Sequence, residues 1–178
     1  MNKETILSKI SDLLDQYKPD SISNFPIWKT IEIGGQSLSQ IQKEIKKNKI
    51  QVSRYANDIF KKTPLAKKKS KLNLVLLTVK ELGFENGATY KEICDKAKSL
   101  GLELCPAETG IQLRLQYLDQ PNYEWNYIAM EPITDSDGDL RRFNVERDDN
   151  DLWLHSDDGR SDRFWHSGDR FVFSLPQV

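Results

Sequence analysis

Apolar residues recur at helical spacing in the opening third of the chain. Ile6, Ile10, Leu13, Leu14 and Tyr17 predict an amphipathic helix over residues 3–17, ended before Pro19. A polar linker, Asp20 to Asn24, leads to Phe25-Pro-Ile-Trp-Lys-Thr-Ile-Glu-Ile, whose alternation up to Gly34-Gly35 predicts a short strand. Leu38, Ile41 and Ile45, behind a Ser37 or Ser39 cap, then predict a helix to about Asn48. Tyr55, Ala56, Ile59 and Phe60 predict another from about Ser53 that stops before Pro64. Leu72, Val75, Leu76, Val79 and Leu82 also fit a helix, over residues 71–83. Thr89-Tyr-Lys-Glu92 is a capping box that opens one more, with Ile93, Cys94, Ala97 and Leu100 inward and Gly101 closing it. Residues 71–100 thus read as a helix-turn-helix.

After Gly101 the period changes. Short apolar or aromatic runs, 102–105, 111–118, 123–131, 140–146, 152–155 and 171–175, are separated by Asp, Gly, Asn and Pro clusters, as in a small antiparallel sheet. In Ile111-Gln-Leu-Arg-Leu-Gln-Tyr the apolar positions alternate with Gln112, Arg114 and Gln116, which predicts a half-exposed strand. The expected class is α+β: N-terminal helices with one short strand and the helix-turn-helix, followed by a C-terminal antiparallel β-sheet or small barrel. Residues 1–20 form an added amphipathic helix, 25–104 a basic, mainly helical part, and 105–178 an acidic, aromatic-rich β part integrated with it.

Charge sharpens this division. The 178 residues carry a net charge of −1, yet residues 1–104 hold 19 Lys+Arg against 12 Asp+Glu and residues 105–178 hold 7 against 15. The two parts are therefore +7 and −8; all the bases of the first except Arg54 are lysines, and all those of the second are arginines. Two surfaces with different tasks, or two parts that attract each other, would produce this pattern. No run of about 18 apolar residues predicts a membrane span, and the N-terminus lacks the apolar core of a signal peptide, so a cytoplasmic protein is expected. Cys94 and Cys105 lack paired metal or redox spacing and read as buried thiols.

Candidate chemistry is sparse. Lys43, Lys46, Lys47, Lys49, Arg54, Lys61, Lys62, Lys67, Lys68 and Lys69 form a basic segment, with Tyr55 and Phe60 among them, that could contact phosphates or an acidic protein. Trp125, Trp153 and Trp165 with Arg160, Arg163 and Arg170 are the residue types of an interface hot spot. His155 or His166 with Asp157 or Asp169 could supply a general base, but no nucleophile motif or phosphate-binding glycine loop accompanies them. Asp135, Asp137, Asp139 and Glu146 have EF-hand spacing, yet Leu140 stands where that loop needs Gly, so Asp135–Asp139 reads as a turn and no metal or cofactor is expected.

The stretches Phe25-Pro-Ile-Trp-Lys-Thr-Ile, Leu100-Gly-Leu-Glu-Leu-Cys-Pro-Ala-Glu108, Leu113-Arg-Leu-Gln-Tyr117, Met130-Glu-Pro-Ile-Thr-Asp-Ser-Asp-Gly138 and Arg170-Phe-Val-Phe173 resemble a family of small bacterial proteins of unknown function. The resemblance covers about 25–178 and implies a bacterial cytosolic protein built as one unit; it implies no activity. The expectation is a non-catalytic binding protein with another protein as partner. Nucleic-acid binding through the basic segment and helix-turn-helix is one alternative, and a hydrolase-type enzyme using His155 or His166 is the other.

Overall fold

The computed structural model describes residues 25–177, so the helix expected over 3–17 lies outside the described residues. In chain order the elements are β1 (Lys29–Ile33), α1 (Leu38–Lys47), β2 (Gln51–Val52), α2 (Arg54–Lys62), β3 (Ser70–Thr78), β4 (Ala88–Thr89), α3 (Tyr90–Ser99), α4 (Glu108–Gln116), β5 (Glu124–Ile128), β6 (Ile133–Thr134), β7 (Leu140–Asp148), β8 (Asp151–Asp158), β9 (Phe164–Trp165) and β10 (Arg170–Ser174). Three helices begin where the caps lie. Ser37 accepts from the Gln40 amide while Gln40 returns a bond to the Ser37 N–H, Ser53 accepts from Ala56, and Thr89 and Glu92 form the reciprocal pair.

One mixed sheet of eight strands dominates, ordered β1-β3-β10-β5-β7-β8-β2, with β6 also on β7 and the whole curled into a half-barrel; β4 and β9 make a separate pair. Neighbours are antiparallel except β10 with β5 and β2 with β8. Helix α4 touches β1, near one end of this order, as well as β7 and β8 near the other, so the sheet wraps around it. On that face Leu72, Leu74, Val172, Ile128, Phe143, Val145 and Leu154 pack with Ile111 and Leu113 of α4 and with Ile41, Ala56, Ile59 and Phe60 of α1 and α2. On the opposite face Val75, Leu77, Tyr127, Phe171 and Phe173 pack beneath Ile93, Cys94 and Ala97 of α3 and Trp165 of β9.

The expected α+β layout is overturned: the fold is sheet-dominated, and its four helices among the described residues are short and scattered along the chain rather than gathered ahead of the strands. Two misassigned segments account for most of the difference. Residues 71–83 are not a helix, and there is no helix-turn-helix, because Ser70–Thr78 is a central strand. Leu72 and Leu74 enter one core and Val75 and Leu77 the other. A strand buried on both faces loses its alternation and mimics a helix. The reverse error concerns 111–118: Glu108–Gln116 is a helix with almost every side chain buried, and its polar residues point at partners rather than at water. Gln116 donates to the Glu32 carbonyl and accepts from the Glu32 N–H, pairing with the free edge of β1 as a strand would. Glu108 accepts from the N–H groups of Gly34 and Ala66, each at 2.8 Å. Gly110 makes the close approach feasible, since a Cβ there would meet the Phe143 Cβ at 2.5 Å. The chain division near residue 104 is not a boundary in the sheet, which takes β1, β2 and β3 from one side of it and β5 to β8 and β10 from the other.

Candidate functional site

The basic segment is solvent-facing but does not converge on a pocket. Lys43, Lys46 and Lys47 are exposed on α1, Lys49 follows it, Lys61 and Lys62 end α2, and Lys67, Lys68 and Lys69 lie in the loop before β3. Lys46, Lys47, Lys61 and Lys62 occupy last helical turns, where their charge suits the helix dipole. Lys62 donates to the Thr134 carbonyl at 2.9 Å, and Lys69 lies 3.8 Å from Glu32. Lys43, Lys46, Lys47, Lys49, Lys61, Lys67 and Lys68 form no ion pair among the described residues. Of the nine ion pairs there, only Arg54 to Asp137, at 3.9 Å, joins a base before residue 105 to an acid after it. Mutual attraction of the two charge populations therefore contributes little to the fold, and the lysine charge stays available to solvent.

The arginine and tryptophan set is dispersed. Trp165 is buried in the core, Arg163 lies 5.1 Å from its ring, Arg160 chelates the Asp158 carboxylate at 2.9 to 3.1 Å, and Arg170 pairs with Glu124 at 2.9 Å. Trp125 and Trp153 are the members of that set that lie on the strip described next.

A two-residue turn sets this strip. Asp149 and Asn150 have φ of 46° and 69°, the left-handed pair of a type I′ hairpin, and Asn122 exchanges side-chain and backbone bonds with Asn150. The register that follows places Glu146 opposite Trp153 and Asn144 opposite His155. On the other flank of β7, Trp125 faces Glu146 and Tyr127 faces Asn144. Two cross-strand rows result on the face opposite α4: Trp125, Glu146, Trp153, and beside it Tyr127, Asn144, His155. Trp125 is 51% exposed, and His155 and Glu146 side chains are 36% and 14% exposed. His155 Nε2 lies 3.4 Å from Glu146 Oε1, the Asn144 amide donates to Oε2 at 3.0 Å, and the Trp153 ring leans on His155 with centroids 5.1 Å apart. Burial pushes the Glu146 carboxyl above its usual range, against the opposing pull of His155 and Asn144.

Next in line on β7 and β8 stand Arg142 and Asp157. Arg142 is fully buried in a box of Trp165, Tyr90, Phe171 and Tyr127 rings at 4.1, 4.8, 4.9 and 5.1 Å, with Nε donating to the Asp158 carbonyl at 3.2 Å. Its Nη atoms and Asn144 Oδ1 have no hydrogen-bond partner among the described residues. The four π faces replace the missing carboxylate as the stabiliser of the guanidinium.

His166 lies in the β9–β10 turn, where its N–H donates to Asp169 Oδ2 at 2.7 Å and its ring meets Phe164, so it belongs to a different element from His155. His155 is paired with Glu146 rather than with Asp157 or Asp169. No Ser, Thr or Cys hydrogen-bonds His155 among the described residues; Ser156, one residue on, faces the other side of the sheet opposite Phe143. Asp135 closes its own turn, with Oδ1 accepting from the Asp137 and Asp139 amides at 2.9 Å and Oδ2 from Arg141 at 2.8 Å. Both thiols are buried, and burial raises Cys94 to about 11 and Cys105 further still.

Asn144 is the residue that sequence reasoning missed, and Glu146 entered it only through its EF-hand spacing. The alternation Arg142, Asn144, Glu146 against Trp153, His155, Asp157 was the available signal, but it is informative only once the Asp149-Asn150 turn fixes the register. No protein-family model, no curated protein and no solved structure matches the chain, so the strip is interpreted on its geometry alone.

Proposed function

We propose that this chain is a non-catalytic binding protein that captures a basic segment of another protein on the Trp125–Glu146–Trp153 strip. The observation that carries the reading is the row itself: the exposed Trp125 indole and the partly buried Trp153 on either side of a largely desolvated carboxylate, on a sheet face that no helix among the described residues covers at that point. Exposed tryptophan beside a charge that gains strength from partial desolvation is the composition of a binding hot spot. Asp148 and Asp157 lie on the same strands, Asp151 opposes Asp148, and no lysine or arginine is exposed within the two rows, so a polyanion is disfavoured and a cation favoured.

The His155–Glu146 pair favours a second reading, a hydrolase in which Glu146 orients the imidazole as general base. The absence of a hydroxyl or thiol bonded to His155 among the described residues ranks it below binding. A labelled lysine-rich peptide titrated into the full chain tests the leading reading. Saturable binding that Trp125→Ala weakens on the order of tenfold or more supports it. Binding that ignores Trp125 and falls instead with Lys46→Glu and Lys47→Glu, or tight binding of mixed-sequence RNA in place of the peptide, overturns it.

A further inference from the structure

We propose that the basic segment taken by the strip is that of a second copy of this chain, in a two-fold symmetric dimer. The proposal rests on the binding reading above and names its partner. Two patches of opposite charge adjoin at one end of the sheet. The acidic one is the tip of the β7–β8 hairpin. Asp148 and Asp151 stand opposite each other two positions beyond Glu146 and Trp153, Asp149 occupies the turn, and all three are exposed. The basic one is the last turn of α1 and the bend after it, where Lys46, Lys47 and Lys49 are exposed. Strand β2 brings the two together: it lies parallel to β8 with Gln51 beside Trp153, so Lys49 and Asp151, each two residues earlier, enter the sheet at the same end. Yet none of these six residues forms an ion pair among the described residues. A patch of one sign repels its own copy, whereas two adjoining patches of opposite sign complement themselves under a two-fold rotation: the lysines of each copy meet the aspartates of the other, and the contact is made twice. The total charge of −1 leaves little long-range repulsion to oppose it. Exposed ion pairs alone hold weakly, but Tyr123 and Trp125, 72% and 51% exposed beside the hairpin, add the aromatic area that such a contact needs.

Sedimentation velocity of the full chain over a range of concentrations tests this. At about 50 mM salt the mass should rise to twice that of the monomer and stop there, and about 0.5 M salt should return it to the monomer. Lys46→Glu, Lys47→Glu and Lys49→Glu combined should leave a monomer, and so should Asp148→Lys with Asp151→Lys. An equal mixture of the two variants should dimerise again, because each presents a single sign to the other, and that recovery shows that neither loss is a folding defect. Trp125→Ala should weaken the dimer on the order of tenfold. A monomer at every concentration that still binds the lysine-rich peptide overturns the second copy and leaves peptide capture intact, whereas a monomer that binds no peptide overturns both. Growth beyond twice the monomer, a dimer indifferent to either charge reversal or to Trp125→Ala, or a mixture of the variants that stays monomeric overturns the two-fold contact.

Discussion

The lysines before residue 105 and the arginines after it do different physical work. Seven lysines of the basic segment have no ion pair among the described residues, whereas most arginines have fixed partners: Arg142 in its aromatic box, Arg114 against Gln120 at 2.5 Å and the Glu146 and Tyr117 carbonyls, Arg141 on Asp135, Arg170 on Glu124 and, at the surface, Arg160 on Asp158. A planar guanidinium can be stacked and forked, so it fits a place in the structure; a flexible ammonium stays hydrated. The difference teaches that the charge of the second part is partly built into the fold through its arginines, while the described lysines of the basic segment form a solvated surface. It also shows where acid remains without a lysine or arginine partner among the described residues, and Glu146, paired only with His155, is the instance flanked by aromatics.

Replacing Arg142 should expose this contrast most sharply. Arg142→Ala empties a box of four rings and should cost about 3–5 kcal/mol in denaturant unfolding, whereas Arg142→Met, which keeps the volume, should cost clearly less. If the alanine variant is as stable as the parent, the arginine side of the comparison fails. Arg114→Met leaves the Glu146 and Tyr117 carbonyls and Gln120 without their donor and should cost about 2–3 kcal/mol.

Acid titration should separate two carboxylates of opposite behaviour. The Arg141 guanidinium, with the Asp137 and Asp139 amides, holds Asp135 below its ordinary value of 3.8, so the stability it contributes is full above that value and is lost as pH falls through the lower, folded one; Arg141→Met should reduce this acid loss. Glu146 is raised above 4.5 by burial, so its contribution is present below the unfolded value and is lost as pH rises through the folded one. Glu146→Gln should flatten that fall in a pH series of unfolding midpoints, and should leave the protein no less stable near neutral pH even though it weakens cation binding. Arg160→Ala, at an exposed pair, should change stability by less than about 1 kcal/mol. Smallest of all, Lys46→Glu, Lys47→Glu, Lys67→Glu and Lys68→Glu should each stay within about 0.5 kcal/mol.

Much of the local structure was legible because it is written in local chemistry. The Ser37, Ser53 and Thr89 caps gave three helices their starts, and the Gly34-Gly35 stop ended β1. What was illegible depends on neighbours distant in sequence. Ser70–Thr78 reads as a helix until both of its faces are known to be buried, and Gln112, Arg114 and Gln116 read as solvent-facing until Gln36, Gln120 and Glu32 are brought to them. The candidate site is of the second kind: Trp153 and His155 stood out by residue type, but Glu146 and Trp125 gain meaning only from the register of β5, β7 and β8.

The most direct test reads the tryptophans themselves. The chain has four, and each indole N–H gives its own signal in a nitrogen–proton correlation spectrum of the labelled protein titrated with the lysine-rich peptide. The signals of Trp125 and Trp153 should move and saturate together while those of buried Trp165 and of Trp28 on the far side of the sheet order stay in place. Saturable shifts of amides in α1 and the loop before β3, with Trp125 and Trp153 unmoved, would contradict the binding reading.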